Sequence, residues 1–119
     1  MTEIQKTKQY DLEERTFLFA KEVRLFVKEL PKTVSNIEDG KQVVRSSGSV
    51  GANYIEANEA LSKKDFVMRI KICRKEAKES KYWLLLVSIN SKELEIKRAA
   101  LAKEASELMN IFGSIIRKC

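Results

Sequence analysis

Residues 45–57 read RSSGSVGANYIEA, and the conformation of this stretch decides the fold. Its serines and glycines are typical of a loop, since each glycine inside a helix costs roughly 1 kcal/mol relative to alanine. The alternative is a helix with one face of small residues, where another helix approaches closely: Ser47, Gly48, Gly51 and Ala52. The surrounding apolar residues keep helical spacing, at Ile37, Val44, Ile55 and Leu61. We therefore favour a helix from Asn36 to about Leu61.

The segment before this stretch predicts another helix, from Leu12 to Leu30. One face repeats at alternating spacings of four and three, as a bundle core requires: Leu12, Thr16, Phe19, Val23, Phe26 and Leu30. Asp11 and Glu14 form a capping box at its start. Pro31 ends the helix, because its ring cannot continue it.

Two more helices follow, and capping pairs predict where the last three begin: Ser35 with Glu38, Ser62 with Asp65, and Asn90 with Glu93. The third helix carries the four-three stripe Phe66, Ile70, Cys73, Ala77, Ser80, Leu84 and Val87. The fourth carries Leu94, Leu101, Leu108 and Ile115 at strict sevens. Short connections make neighbouring helices antiparallel. We predict an all-α protein, an antiparallel up-down-up-down four-helix bundle over residues 11–119, after a flexible tail of residues 1–10.

The chain of 119 residues contains no histidine, which limits its chemistry. Neither a Ser-His-Asp nor a Cys-His arrangement can form, and the commonest metal ligand is missing. Cys73 lies on the core stripe and is expected to pack as a small apolar group. Cys119 is the last residue of the chain. We expect no catalytic site, no metal site and no cofactor, so an enzyme is the third hypothesis.

Acidic and amide side chains gather on the second and third helices, at Asn53, Glu56, Asn58, Glu59, Glu76 and Glu79. Inward glutamates hold two metal ions in some four-helix bundles, but those sites also use Glu-x-x-His motifs. We expect instead a structural polar network of Arg45, Ser49, Asn53, Glu56 and Glu79, in which Glu56 or Glu79 pairs with Arg45 or a lysine. A buried carboxylate needs such a partner.

The sequence shows no sign of export or membrane insertion. No apolar run approaches the eighteen or so residues that cross a bilayer. Residues 1–10 are polar and lack the apolar centre of a signal peptide. We therefore expect a cytoplasmic protein with no membrane partner.

The third helix is strongly basic. Residues 63–81 contain eight basic and three acidic residues, a net +5 of the chain's formal +6. The basic ones are Lys63, Lys64, Arg69, Lys71, Arg74, Lys75, Lys78 and Lys81. Four of them form a stripe beside the core stripe: Lys71, Arg74, Lys78 and Lys81. Such a row can neutralise several phosphates of a nucleic-acid backbone. The alternative is a solvated face whose long stems cover apolar surface.

Aromatic residues follow directly after this basic run. Tyr82 and Trp83 could stack on bases, but their apolar neighbours favour packing in the core or at an interface. The stretch from Tyr82 to Val87 is apolar nearly all round, which indicates self-association, because a lone bundle needs only one buried stripe per helix.

Residues 45–57 also carry a family resemblance. The order Arg, three residues, Ser, Val, two residues, Asn, two residues, Glu resembles the bacterial four-helix-bundle family named after intervening sequences in 23S ribosomal RNA genes. The matching residues are Arg45, Ser49, Val50, Asn53 and Glu56, while Ala57 replaces the family's usual glycine. The resemblance extends from about Tyr10 to Ile116, and it implies that the matching residues are structural.

The resemblance further implies an up-down bundle and, as in related members, a ring-shaped homopentamer. The chain is also similar to the accessory proteins of diversity-generating retroelements, which are basic rings that bind nucleic acid and a reverse transcriptase. The basic residues of the third helix are not part of the family pattern, so the partner does not follow from the fold.

We therefore expect a non-enzymatic homo-oligomer that binds RNA or DNA through phosphate contacts. The contacting residues would be Lys63, Lys64, Lys71, Arg74, Lys75, Lys78 and Lys81. The alternative is a protein–protein assembly or adaptor module with no nucleic-acid role, whose partner is itself, a reverse transcriptase or another protein.

Overall fold

Four helices make up the computed structural model, which describes the backbone of residues 2–119 and the side chains of residues 12–119. They are α1 (Thr2–Glu29), α2 (Val34–Asn58), α3 (Lys63–Leu86) and α4 (Lys92–Lys118). Helix α1 packs against α2 and α4, and α3 also packs against α2 and α4, so α1 and α3 lie diagonally opposite. The predicted all-α four-helix bundle is confirmed.

The ends of the helices differ in part from the prediction. Ser62 caps α3 as predicted, since its side chain accepts a hydrogen bond from the backbone N–H of Asp65. The caps of α2 and α4 were predicted at Ser35 and Asn90. They are Thr33 and Ser91 instead, because Thr33 and Ser91 have the extended backbone of a cap. Helix α1 begins at Thr2 rather than at Leu12, so Asp11 does not mark its start. The side chains of residues 1–11 lie outside the described part, and the flexible tail of residues 1–10 stays a prediction.

The stretch at residues 45–57 is helical throughout, so the favoured conformation is right. Its small residues allow α1 to approach: a Cβ atom on Gly51 would lie 3.0 Å from Thr16 Oγ1 and 3.2 Å from Thr16 Cβ. Thr16 is buried and donates its hydroxyl to the carbonyl of Leu12 at 2.8 Å. The helix ends at Asn58 rather than at Leu61, which lies in the connection with its side chain fully exposed.

The predicted stripes form the core. Helix α3 buries most of its stripe, with Ile70, Cys73, Ala77 and Leu84 all inaccessible to solvent. Cys73 donates its Sγ–H to the carbonyl of Val50 at 3.4 Å, and burial raises the pKa of its thiol to about 12. The thiol therefore stays protonated, which fits the packing role.

A buried asparagine joins two connections at one end of the bundle. Asn36 Nδ2 donates to the carbonyls of Pro31 at 3.0 Å and Ser88 at 2.9 Å. The N–H of Ser88 donates back to Asn36 Oδ1 at 2.9 Å. The α1–α2 and α3–α4 connections are thus held together by one side chain, which fixes the two helical pairs relative to each other.

Replacing Gly51 by alanine tests the close approach of α1 and α2. We expect Gly51→Ala to lower the free energy of unfolding by about 1 kcal/mol, because overpacking against buried Thr16 outweighs alanine's better helix propensity. Gly48→Ala is the matched control. Its Cβ would meet the end of the exposed Arg24 side chain, at 3.2 Å from Nη2, and that end can move aside. This variant should gain about 0.5–1 kcal/mol in urea unfolding followed by circular dichroism. Equal stabilisation by both would show that the approach is not tight.

Candidate nucleic-acid interface

An ion-pair network joins α2 to one edge of α3. Arg45 Nη1 lies 3.4 Å from Glu76 Oε1, and Arg45 Nη2 donates a short hydrogen bond to Glu79. Trp83 Nε1 donates to the same carboxylate at 3.2 Å. Burial alone would raise the pKa of Glu79, but the hydrogen bonds from Trp83 and Arg45 outweigh it and hold the pKa below its ordinary value. The bond to Glu79 also raises the pKa of Arg45. Both glutamates therefore share one cation, which α2 supplies.

A second polar cluster lies further along the same seam. Asn53 Nδ2 donates to the Ser49 carbonyl at 2.9 Å and to Ser49 Oγ at 3.0 Å. Arg69 Nη1 donates to Asn53 Oδ1 at 3.0 Å. Glu56, which the sequence analysis placed in this network, is exposed and makes no hydrogen bond with a described residue.

The structural role of Arg69 does not follow from its positive charge, which is the property that the sequence shows most directly. Arg69, Glu76 and Trp83 are spaced by seven, so they share the edge of α3 that faces α2. That spacing in the sequence indicates that Arg69 belongs with Glu76 and Trp83. The basic segment therefore has two edges with different partners, and Arg69 belongs to the structural one.

The other edge of α3 carries the seven cations proposed for phosphate contact, which we call the basic face: Lys63, Lys64, Lys71, Arg74, Lys75, Lys78 and Lys81. Six of them are exposed and Lys81 is half-buried. None of their side chains forms an ion pair or hydrogen bond with a residue in the range 12–119, although Lys75 acts electrostatically on Glu79. With a rise of 1.5 Å per residue, the face extends for about 27 Å. The basic face is therefore a row of positive charges without ion-pair partners among the described residues, carried by one helix of the bundle.

Helix α4 adds a cation that the sequence analysis did not propose. The position of a Cβ atom at Gly113 would lie 3.4 Å from Arg117 Nη1 and 3.9 Å from Arg74 Cδ. Arginines of two neighbouring helices therefore both lie close to this glycine. Arg117 donates to Ser114 Oγ at 3.5 Å and has no acidic partner in the described part of the chain. In the sequence, this arrangement is indicated only by a glycine, Gly113, with an arginine one turn later. The approach of Arg74 to Arg117 depends on how α3 and α4 cross, which the sequence does not show.

The two aromatic residues after the basic run have different surroundings. Trp83 is half-buried and packs against the core, as the sequence favoured. Tyr82 is 59% exposed, so it does not pack in the core of the chain, and its packing at an interface stays a prediction. The two rings meet edge to face, with centroids 5.0 Å apart. Leu85 and Leu86 are also about half exposed, and the apolar surface predicted here is present on the isolated chain.

Metal binding and membrane insertion find no support in the described residues. Between residues 12 and 119, no three acidic or cysteine side chains come together as a metal site would need. None of the helices in the described part of the chain has an apolar stretch long enough to span a bilayer.

These features define a small, basic, four-helix-bundle protein whose candidate site is electrostatic. The model of the family described as 23S rRNA-intervening sequence protein matches residues 8–114, and the chain belongs to that family. It is also similar to a crystal structure of a protein of unknown function from the S23 ribosomal protein family of Bacteroides thetaiotaomicron. The two share 29% identity and a TM-score of 0.77, over 92% of this chain and 98% of the other. No curated protein matches the chain.

Removing the cation of the α2–α3 network tests how it holds the two glutamates. We expect Arg45→Met to lower the free energy of unfolding by about 1–2 kcal/mol at neutral pH, because Glu76 is largely buried and would lose its partner. The pKa of Glu79 is lowered in the folded state, so its ionised form stabilises above the ordinary pKa. That contribution is lost as the pH falls through the lowered value.

The difference between Arg45→Met and the unmodified protein should therefore shrink as the pH falls through the lowered pKa of Glu79. Lys41→Met is the control, because its pair with Glu38 is exposed on both sides and contributes little. A loss that stays constant as the pH is lowered from 7 to the acid limit of the folded protein would contradict the ion-pair account.

Proposed function

We propose that this protein is a non-enzymatic homo-oligomer that binds RNA or DNA through the phosphate groups, using the basic face of α3. The observation that carries the proposal is the division of charge on α3. Glu76 and Glu79 pair with Arg45 on one edge, while the cations of the other edge form no ion pair with a described residue. A purely solvated face would be expected to intersperse both signs along one surface.

The basic face suits contacts that are independent of sequence. Lysine and arginine bind phosphate wherever the backbone passes, and counterion release supplies the free energy. Arg74 and Arg117 together offer two guanidinium groups, which match phosphate geometry better than lysine does. The family's name refers to 23S rRNA, so RNA is a suitable first probe beside DNA.

Self-association is supported by exposed apolar side chains on α1, which lies diagonally across the bundle from α3. Leu18 and Leu25 of α1 are about half exposed and lie two turns apart, beside a groove between α1 and α4 that Ala100 and Leu101 also line. Because α1 and α3 are diagonal, a subunit contact there leaves the basic face free. We propose a pentamer, by resemblance to the ring-shaped relatives.

The alternative function is an assembly or adaptor module with no nucleic-acid role, whose partner is a protein such as a reverse transcriptase. The exposed apolar residues at the end of α3, Leu85 and Leu86, favour it, because a protein partner would cover them. The two functions differ in one measurable property, since only the first requires salt-dependent binding of nucleic acid.

Reversing three charges on α3 tests the leading function. We expect the variant Lys71→Glu, Arg74→Glu, Lys78→Glu to lose roughly 100-fold or more in affinity for mixed-sequence RNA and DNA at low salt, measured by fluorescence anisotropy. The unmodified protein should show a slope of roughly −3 in log affinity against log salt, if about four phosphates are neutralised. Circular dichroism should be unchanged.

Helix α1 offers a control with identical spacing and chemistry: Lys21→Glu, Arg24→Glu, Lys28→Glu. Both triple variants bring the formal net charge from +6 to zero, so net charge alone cannot distinguish them. The α1 variant should bind within about 3-fold of the unmodified protein, apart from a long-range effect that salt screens. Undetectable binding by the unmodified protein, binding that ignores salt, or an equal loss in both variants would refute the proposal.

Placing charges in the α1–α4 groove tests self-association. The unmodified protein should sediment as an oligomer, about five times the mass of the chain, and Leu18→Glu with Leu25→Glu should give monomers, because burying two carboxylates is costly. Leu61→Glu is the control, since this fully exposed side chain lies in the α2–α3 connection. A monomeric unmodified protein would count against both functions.

A further inference from the structure

Tyr82 lies on the same face of α3 as the cations. It follows Lys78 by four residues, Lys75 by seven and Lys71 by eleven, and these spacings bring all four to one side of a helix. Lysines 71, 75 and 78 are exposed, and the Tyr82 side chain is 59% exposed. The basic face therefore ends in an accessible aromatic ring.

The ring of Tyr82 is held in place from one side. It meets the indole of Trp83 edge to face, and that indole is itself fixed by packing against the core and by its bond to Glu79. The hydroxyl of Tyr82 makes no hydrogen bond with a described residue. An ordered, exposed ring beside cations loses little side-chain entropy when it binds a flat apolar surface.

The distance from Lys78 to Tyr82 matches the size of a nucleotide. One turn of α3 separates them, about 6 Å along the axis, which is comparable to the distance between the phosphate and the base of one nucleotide. A phosphate at Lys75 or Lys78 thus places a neighbouring base within reach of the ring. In a duplex the base faces are covered by stacking, so only an unpaired strand can use such a ring.

We propose that the basic face of α3 takes single-stranded nucleic acid, with Tyr82 stacking on one base while the cations hold the adjoining phosphates. This inference rests on the proposed function and adds the class of ligand to it. It also gives a role to the exposed aromatic residue, for which neither the fold nor the phosphate contacts provide one.

The test compares three labelled probes of about 20 nucleotides by fluorescence anisotropy at low salt: a mixed-sequence DNA strand, the same strand annealed to its complement, and an abasic strand. Tyr82→Ala should lower the affinity for the single strand by about 5- to 100-fold, the range measured for one stacked base. Its affinity for the duplex and the abasic strand should stay within about 2-fold. Tyr82→Phe should restore single-strand binding.

Phe17→Ala is the matched control, because Phe17 is an exposed ring (61%) with Lys21 Nζ 5.6 Å from its centroid, but lies on α1. It should bind all three probes as the unmodified protein does. The inference fails if Tyr82→Ala weakens all probes alike, weakens none, or instead breaks the oligomer or the capture of a protein partner. The proposed function survives those outcomes as long as the Lys71, Arg74 and Lys78 reversal still abolishes binding. If the unmodified protein binds no probe, both fail.

Discussion

The ion pairs from Arg45 to Glu76 and Glu79 determine how charge is distributed over α3. Glu76 is almost completely buried, and an ionised carboxylate in that position is tolerated only with a cation beside it. Arg45 supplies that cation from α2, and Trp83 adds a hydrogen bond to Glu79. Glu76 and Glu79 therefore lie on the edge of α3 that faces Arg45. The lysines on the other edge form no ion pairs with them.

This division connects the packing of the bundle with its proposed function. The edge with Arg69, Glu76 and Trp83 faces α2 and is structural, while the edge with Lys71 and Lys78 faces solvent beside α4. A helix that packs on two neighbours has little freedom to move, so its outer cations are presented at fixed spacing. A rigid row of this kind loses less entropy on binding a polyanion than a flexible basic tail does.

Much of the fold could be predicted from periodicity, because the buried stripes of α1, α3 and α4 repeat with helical spacing that few other structures produce. The stretch at residues 45–57 was harder. Local propensity favours a loop there, and only the contact of Gly51 with Thr16 shows what the small residues are for. The caps were misplaced by one or two residues, since Thr33 and Ser35, or Asn90 and Ser91, are chemically equivalent candidates until the backbone is known.

The positive charge of the candidate site could be predicted from the sequence. Which residues belong to the edge of α3 that faces α2, and which to the basic face, could not. The sequence placed Lys71, Arg74 and Lys78 on one stripe but did not distinguish Arg69 from them. It also predicted Glu56 in a polar network. In the structure, that part of the network is formed by Asn53 and Arg69. The closeness of Arg117 to Arg74 depends on how α3 crosses α4 at Gly113. The exposure of Tyr82 depends on which apolar positions the neighbouring helices cover. Both are properties of tertiary packing, which no local pattern contains.

Lysine footprinting is the most direct test of the claim that this face of α3 binds nucleic acid. The protein would be acetylated briefly with and without excess single-stranded oligonucleotide at low salt, and each lysine quantified by mass spectrometry. The account predicts protection of Lys71, Lys75 and Lys78, with Lys21 and Lys28 of α1 modified at unchanged rates. Equal rates at every lysine with the oligonucleotide bound, or protection confined to α1, would contradict it.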